Sequence, residues 1–402
     1  MKSDIYIFNS TCEMALANGV FSYMPPKRFR QMEEDLACLP AFFAEANDVV
    51  VVPYHISSSW IENMNSLGFT MPKFLTYREL PKENISYLRP WGWSPAAHFY
   101  FRDIYNNTSS EFKDTVNSKW ADSFKEVYSR LTARDVLESI IKDSNSSLYP
   151  NIDEIPQKCT SQEEVQVCVD SMDRVLLKAP WSSSGRGLYL LEPNVITEVN
   201  KQWISGVLKN QKYVMAEIWK EKVCDLSFQY SVDSNGEISF LGTTSFETDS
   251  KGNYKGNYIH TESVWAKNPK LANFLQTDLL KEVNSNIIMA LRESVIPKQY
   301  YSCFGVDCMI YIEDDIYKIQ PCIEINLRYN MGYLSMRLKE KLHPNARGIV
   351  RTDYLTDVDA FFKEKGKDYP IITSDSLLKS GFLPLSYPKS QQAFITYLIL
   401  FD

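Results

Sequence analysis

Apolar positions in the first hundred residues alternate between short runs and stretches with helical spacing. Ile5 to Phe8 is a brief apolar run, and Asp48 to Pro53 (Asp-Val-Val-Val-Val-Pro) reads as a buried strand. Between them, Phe29 to Ala46 sets Met32, Leu36, Leu39 and Phe43 on one helical face. Pro40 lacks an N–H and clashes with a preceding turn, so the spacing predicts a break or two short helices there. Trp60 to Leu67 is a second helical stretch, and Phe74 marks another short strand. Strands separated by helices need crossovers, which predicts a parallel sheet and makes residues 1 to about 115 a small open α/β domain.

Further on the pattern changes. Residues 117 to 142 form a helical zone carrying Trp120, Phe124, Val127, Leu131, Val136, Leu137, Ile140 and Ile141. Ser161-Gln-Glu-Glu164 is a capping box that opens a helix to about Met172, and strands follow at Val175 to Ala179 and Gly187 to Leu191. From Tyr213 strands dominate: Tyr213 to Ile218, Ser227 to Val232, Ile238 to Phe246, Gly305 to Ile312 and Ile316 to Asn326, with one helix from about Lys270 to Val295. The expected division is an open α/β domain over 1–115, a helical segment with a small lobe over 116–215, and a larger lobe over 216–402 that the tail from about 345 completes.

Composition narrows the function. A chain of 402 residues exceeds one compact core. A net charge of −7, without a long basic run, disfavours nucleic acid as a partner. No stretch reaches the roughly 18 apolar residues that cross a bilayer. Four histidines and eight cysteines without a C-x-x-C pair disfavour an ordinary zinc site. The first residues, Met1 to Phe8, lack the apolar core of a signal peptide, so reduced thiols and a cytoplasmic location are expected.

Three constellations carry candidate chemistry. In the first, a strand delivers Lys178 and leads through Ser182, Ser183, Ser184, Gly185, Arg186 and Gly187 into another strand. Small residues let backbone N–H groups approach phosphate oxygens, and the lysine adds charge; a plain hairpin loop has the same composition. It is not a P-loop, because the G-x-x-x-x-G-K-[ST] spacing is missing. The second is Asp307 on one strand with Glu324 and Asn326 on the next, followed by Arg328. Residues two apart on a strand share a face, roughly 7 Å apart, so Glu324 and Asn326 point the same way. Two carboxylates and an amide oxygen suit Mg²⁺, which takes its remaining ligands from phosphates and water; a half-exposed strand shows the same alternation. Unbroken pairing opposes Asp307 to Pro321 rather than Glu324, and a bulge at Pro321 would correct it. The third is Glu217-Ile218-Trp219 at a strand end with Asp225 beyond: a connector with free peptide groups for an adenine edge, or an ordinary acidic strand end.

In order and content these elements resemble the ATP-grasp superfamily. The resemblance spans about residues 120 to 340 and implies a Rossmann-like open α/β domain followed by a two-lobed ATP-binding module. It implies that Lys178 and the 182–187 loop meet the phosphates, that Glu217, Ile218 and Trp219 hold adenine, and that Asp225 meets ribose. Asp307, Glu324 and Asn326 match the family's metal trio, and Arg328 its phosphate-contacting arginine. Arg130, with Arg134 as its rival, matches a helix cation that reaches the phosphates. Glu247 to Asn257 looks like a mobile loop that brings Lys255 to the γ-phosphate; a solvated surface loop reads the same. The loop Asn9 to Gly19 after the first strand is a substrate-site candidate, since ligands collect at the carboxyl ends of parallel strands. Leu327 departs from the family's usual proline, and the link from Asp307 to Glu324 is long.

What the resemblance implies is an ATP-dependent ligase using Mg²⁺ (or Mn²⁺). A substrate carboxylate becomes an acyl phosphate, which an amine or similar nucleophile then attacks. The alternatives are a small-molecule kinase of the same fold and a non-catalytic ATP-binding regulator.

Overall fold

The computed structural model describes residues 2–401 except 145, 183–186, 194, 250, 251, 261, 266, 267, 276 and 376. Its strands fall into three sheets in chain order. The first contains β1 (Ser3–Ile7), β2 (Val49–Val51), β3 (Lys73–Leu75) and β4 (Ile85–Pro90), arranged β3-β2-β1-β4 with every pair parallel. Ile5 and Val50 are fully buried, as a sheet covered on both faces requires. The helical stretch before β2 is broken near Pro40, into a helix Lys27–Asp35 and a 3₁₀ turn Leu39–Phe42. β4 lies outside the sequence reading, and its mixed composition (Ile-Ser-Tyr-Leu-Arg-Pro) explains why. Arg89 of this strand pairs with Asp4 at 2.8 Å. The loop Asn9 to Gly19 is in large part a helix, Cys12–Asn18, which Gly19 ends at φ +77°.

The second sheet is antiparallel: β5 (Gln157–Cys159), β6 (Val175–Lys178), β7 (Leu188–Leu190) and β8 (Val214–Ile218), in the order β5-β8-β6-β7. Helices Gln162–Ser171 and Glu198–Gln211 cover it through Val165, Val169, Ile204 and Val207. The Ser161 hydroxyl accepts from the Glu164 N–H at 3.2 Å, but the Glu164 carboxylate returns to Thr160 instead of Ser161. The zone 117–142 is α-helical only over Arg130–Asp143. Extended Ser129 (φ −88°, ψ 162°) separates that helix from a 3₁₀ segment, Asp122–Tyr128.

The third sheet has nine antiparallel strands. They are β9 (Glu221–Val232), β10 (Ile238–Thr248), β11 (Tyr254–Tyr258), β12 (Ser302–Glu313), β13 (Ile316–Asn326), β14 (Arg347–Leu355), β15 (Ile372–Ser374), β16 (Leu377–Pro384) and β17 (Ala393–Phe401). The order is β13-β12-β9-β10-β11-β14-β17-β16-β15, so the tail extends the same sheet. The helical stretch from Lys270 is two helices, Pro269–Phe274 and Thr277–Glu293, with Leu275 non-helical (ψ 32°) between them. Thr277–Glu293 and Arg130–Asp143 bury Val283, Ile287, Val136 and Ile140 against Leu226, Phe228 and Ile310 of the sheet. Among the described residues no helix is long and apolar enough to cross a membrane.

Candidate active site

Register places the acidic trio. From the tight turn, β12 and β13 pair regularly as far as Met309 with Gln320, and the next pair is Asp307 with Glu324. One residue of β12, Cys308, therefore faces three of β13. The bulge falls at Pro321, which has no N–H for the ladder, while its carbonyl accepts from the Cys308 thiol at 2.8 Å. The shift puts Glu324 and Asn326 beside Asp307. On the other flank β9 pairs Ser227 with Asp307 and Asp225 with Met309.

The side chains form a connected network. Asn326 donates through Nδ2 to Asp307 at 2.8 Å, and its Oδ1 accepts from Arg328 Nη2 at 2.8 Å. Arg328 Nε pairs with Glu13, from the helix that follows β1. Burial disfavours the arginine's charge, yet Glu13 and its neighbours hold the pKa above its ordinary value. Asp307 shows the opposite balance. Loss of water, then the adjacent Glu324 charge, push its pKa to about 7, against a hydrogen bond from Ser227 and the charge of Arg328. Asp225 adds to the rise. Asp225 is itself raised by burial, although Lys222 at 2.6 Å and the Thr248 hydroxyl at 3.2 Å oppose this.

Arg130 opens its helix and joins three elements. It pairs with Glu324 at 3.1 Å, and donates to the Ala179 carbonyl at 3.1 Å and to the Ser182 hydroxyl at 3.3 Å. Its rival Arg134 turns to Glu138 and Asp135 instead, so the structure brings Arg130 to the trio. Lys178, at the end of β6, is buried against Glu217 of β8, and its charge reaches Asp225. The loop after Lys178 is closed at its neck by Ala179 N–H to Gly187 O at 2.8 Å. Gly187 sits at φ +68°, and a Cβ there would lie 2.7 Å from that of Ser182. Ser183, Ser184, Gly185 and Arg186 lie outside the described residues.

Other expectations are corrected. The Trp219 N–H donates to the Arg174 carbonyl at 2.8 Å, so the connector after Ile218 is not a run of free peptides. Arg174 also stacks on the Trp219 ring at 5.5 Å. Asp225, beyond that connector, lies within β9. The segment 247–257 is not one mobile loop, because Glu247 and Thr248 end β10 and residues from Tyr254 pair in β11. Lys255 is exposed on that strand, separated from β12 by β9 and β10, or ~14 Å of sheet at the usual strand spacing. The structure does not bring it to the trio. Sequence reasoning offered no role for Glu13 itself; its signal was its place in the loop after β1, which does face the cleft. Glu13, Cys12 and Leu16 line a small cavity together with Arg130, Glu324 and Arg328.

No group of three His, Cys, Asp or Glu that could hold a metal occurs among the described residues. Asp307 and Glu324 are two carboxylates with an amide beside them. That set fits Mg²⁺, which completes its shell with phosphate and water, and a divalent cation would offset both the burial and the Glu324 charge that raise Asp307. Asn326 can present oxygen to such an ion only by turning its amide, since Oδ1 now faces Arg328.

A parallel α/β sheet, a small antiparallel sheet and a large antiparallel sheet surround the charged cleft. No family model matches the chain, and no curated protein matches it. Solved structures do. The biotin carboxylase domain of Hydrogenobacter thermophilus 2-oxoglutarate carboxylase, in complex with MgADP, ADP and bicarbonate, superposes at TM-score 0.52 with 13% identity. The alignment covers 100% of this chain and 86% of that one. Phosphoribosylamine–glycine ligase from Thermotoga maritima gives TM-score 0.50 at 11% identity, over 99% of this chain and 92% of that one. The chain has the ATP-grasp fold.

Proposed function

We propose that this protein binds Mg-ATP between the β5–β8 lobe and the nine-stranded sheet, and uses it to activate a small carboxylate for attack by an amine. In this reading the chain divides near residues 115 and 215. The observation that carries it is charge pairing around one cleft. Lys178, Arg130 and Arg328 are each matched by a carboxylate, Glu217, Glu324 and Glu13. A phosphate chain alone would draw the cations but leave Glu324 and Asp307 facing negative oxygens; a metal ion alone would do the reverse. A magnesium–triphosphate pair replaces both sets of partners together.

Lys178 and Arg130 then meet phosphate oxygens, with Ser182 and Gly187 at the neck of the loop beside them. Glu217, Ile218 and Trp219 edge the adenine, with Trp219 offering its carbonyl and ring because its N–H is engaged. Asp225 lies between the ribose and metal positions. Asp307, Glu324 and Asn326 hold Mg²⁺, which when bound offsets phosphate charge. Arg328, released from Glu13, steadies the phosphoryl group as it moves to the substrate carboxylate. Such fixed charges in a water-poor cleft are worth on the order of 3 kcal/mol each, or ~100-fold in rate. Lys255 has no part in this arrangement.

Calorimetric titration of ATP with and without Mg²⁺, on wild type and Glu324→Ala, tests the reading. Mg²⁺-dependent binding whose metal advantage disappears in the variant supports it. An intact, folded protein that binds no ATP under either condition overturns it. ADP release on adding carboxylate and amine pairs would then identify the substrates.

A further inference from the structure

A second cavity, of about 760 Å³, opens at the carboxyl ends of β1 to β3 and meets the first cleft at one shared residue, Cys12. Part of its wall is apolar, with Phe8, Ala37, Val51 and Val52. Its charges are arranged unlike those of the first cleft. Arg30 and Arg78 line it, both exposed, and neither pairs with a carboxylate among the described residues. Glu33 also lines it, and no described lysine, arginine or histidine pairs with that carboxylate. Glu33 Oε1 accepts from the Thr11 N–H at 2.9 Å and hydroxyl at 2.7 Å, which fixes the carboxylate next to Cys12. A simple anion would meet Glu33 and the nearby Glu34, and a simple cation would meet the two arginines. A molecule carrying both signs satisfies both.

We propose that this cavity binds an amino acid or a close derivative as a zwitterion, its ammonium on Glu33 and its acid group on Arg30 and Arg78, with the side chain on the apolar wall. The binding stands on the cavity itself; the role of the bound molecule as amine partner rests on the ligase reading. In that role the ammonium gives one proton to Glu33, and its nitrogen attacks the acyl carbon of the activated substrate where the two cavities meet at Cys12. The C–N bond forms as the C–O bond to phosphate breaks. Phosphate leaves with that electron pair and takes the second nitrogen proton. Burial raises the Glu33 pKa against the opposing Thr11 bonds, which suits a carboxylate that must accept a proton.

Each of the twenty common amino acids is titrated into the full chain by calorimetry, followed for any binder by its decarboxylated and deaminated analogues. At least one amino acid should bind, and each analogue should bind ~10-fold more weakly or worse, since each loses a charge-assisted contact. Glu33→Gln should weaken the amino acid at least ~10-fold and leave the deaminated acid unaffected, whereas Arg30→Ala/Arg78→Ala should weaken both. Mg-ATP affinity should stay unchanged in every variant, which also reports folding. Absence of binding by all twenty to a protein that binds Mg-ATP overturns the proposal, as does binding that neither variant alters. Amino acid binding by a protein that binds no Mg-ATP keeps the cavity assignment and removes the ligase reading.

Discussion

The cleft around Asp307 and the cavity beside Glu33 share Cys12 as a wall but hold charge in different ways. In the cleft Arg130, Lys178 and Arg328 each touch a carboxylate, and several partners are far apart in sequence: Glu13 and Arg328 are 315 positions apart. In the cavity Arg30, Arg78 and Glu33 have no ion-pair partner among the described residues. Paired, poorly solvated charges are part of what holds the fold, because removing one member strands the other away from water. Exposed unpaired charges, here Arg30 and Arg78, contribute little to folding and are available to a ligand. Substitution should therefore cost stability as well as Mg-ATP binding in the cleft, but ligand binding alone at the exposed arginines of the cavity.

The largest effect is expected where the helix Cys12–Asn18 meets the chain just past β13. Glu13→Ala leaves the Arg328 guanidinium half-enclosed and without its carboxylate, which typically costs about 3–5 kcal/mol. Urea unfolding would show this as a lower midpoint. Glu13→Ala/Arg328→Met should recover much of the loss, because the stranded charge goes with the partner. A double variant as unstable as Glu13→Ala would mean that the pair is held by packing rather than charge.

Next comes a pH effect. The Asp307 pKa is raised to about 7, so the folded chain keeps a proton that the unfolded chain has lost above its ordinary value of 3.8. That contribution is complete below the unfolded pKa and is lost as pH rises through the folded one. Asp307→Asn removes the titration. Its stability relative to wild type should thus improve by about 2 kcal/mol between pH 5 and pH 8. Curves that run parallel across this range would show that Asp307 titrates normally.

A smaller loss is expected at the neck of the loop after Lys178. Gly187→Ala places a Cβ in left-handed backbone at 2.7 Å from the Ser182 Cβ, for about 1–2 kcal/mol. Weakened ATP binding should accompany it if the neck sets the loop's position. Unchanged stability and affinity would mean that the loop tolerates a different closure.

How much of this was legible in the sequence follows from the range of the interactions. The spacing of Glu324, Asn326 and Arg328 is written into one strand, and Pro321 announces its own bulge because it cannot join a ladder. Lys178 at a strand end before a loop of small residues is likewise local. The choice between Arg130 and Arg134 was not, since both sit in the first turns of one helix and their roles depend on Glu324 and Glu138. Glu13 is invisible for the same reason: its partner comes from the far end of another sheet. The extension of the nine-stranded sheet into the tail depends on long-range pairing, such as Val350 with Leu398, that no local pattern encodes. The expected loop around Lys255 failed because its glycines and polar residues read as a turn, while Gly256 to Tyr258 pair with Ile349 to Arg351 of β14.

The smallest effect is expected at Arg78, and it tests the other half of the comparison. The side chain is exposed in the 3₁₀ turn Tyr77–Glu79 that follows β3 and has no ion pair among the described residues, so Arg78→Ala removes no partner and strands no charge. Its unfolding free energy should stay within about 0.5 kcal/mol of wild type, the usual range for such surface sites. A loss approaching that of Glu13→Ala would show that Arg78 is a structural charge and that the two regions do not differ. Stability unchanged, together with weaker binding of an anionic or zwitterionic ligand, would separate them: the cleft charges hold one another until a nucleotide takes them, whereas the exposed charges of the cavity have no structural task.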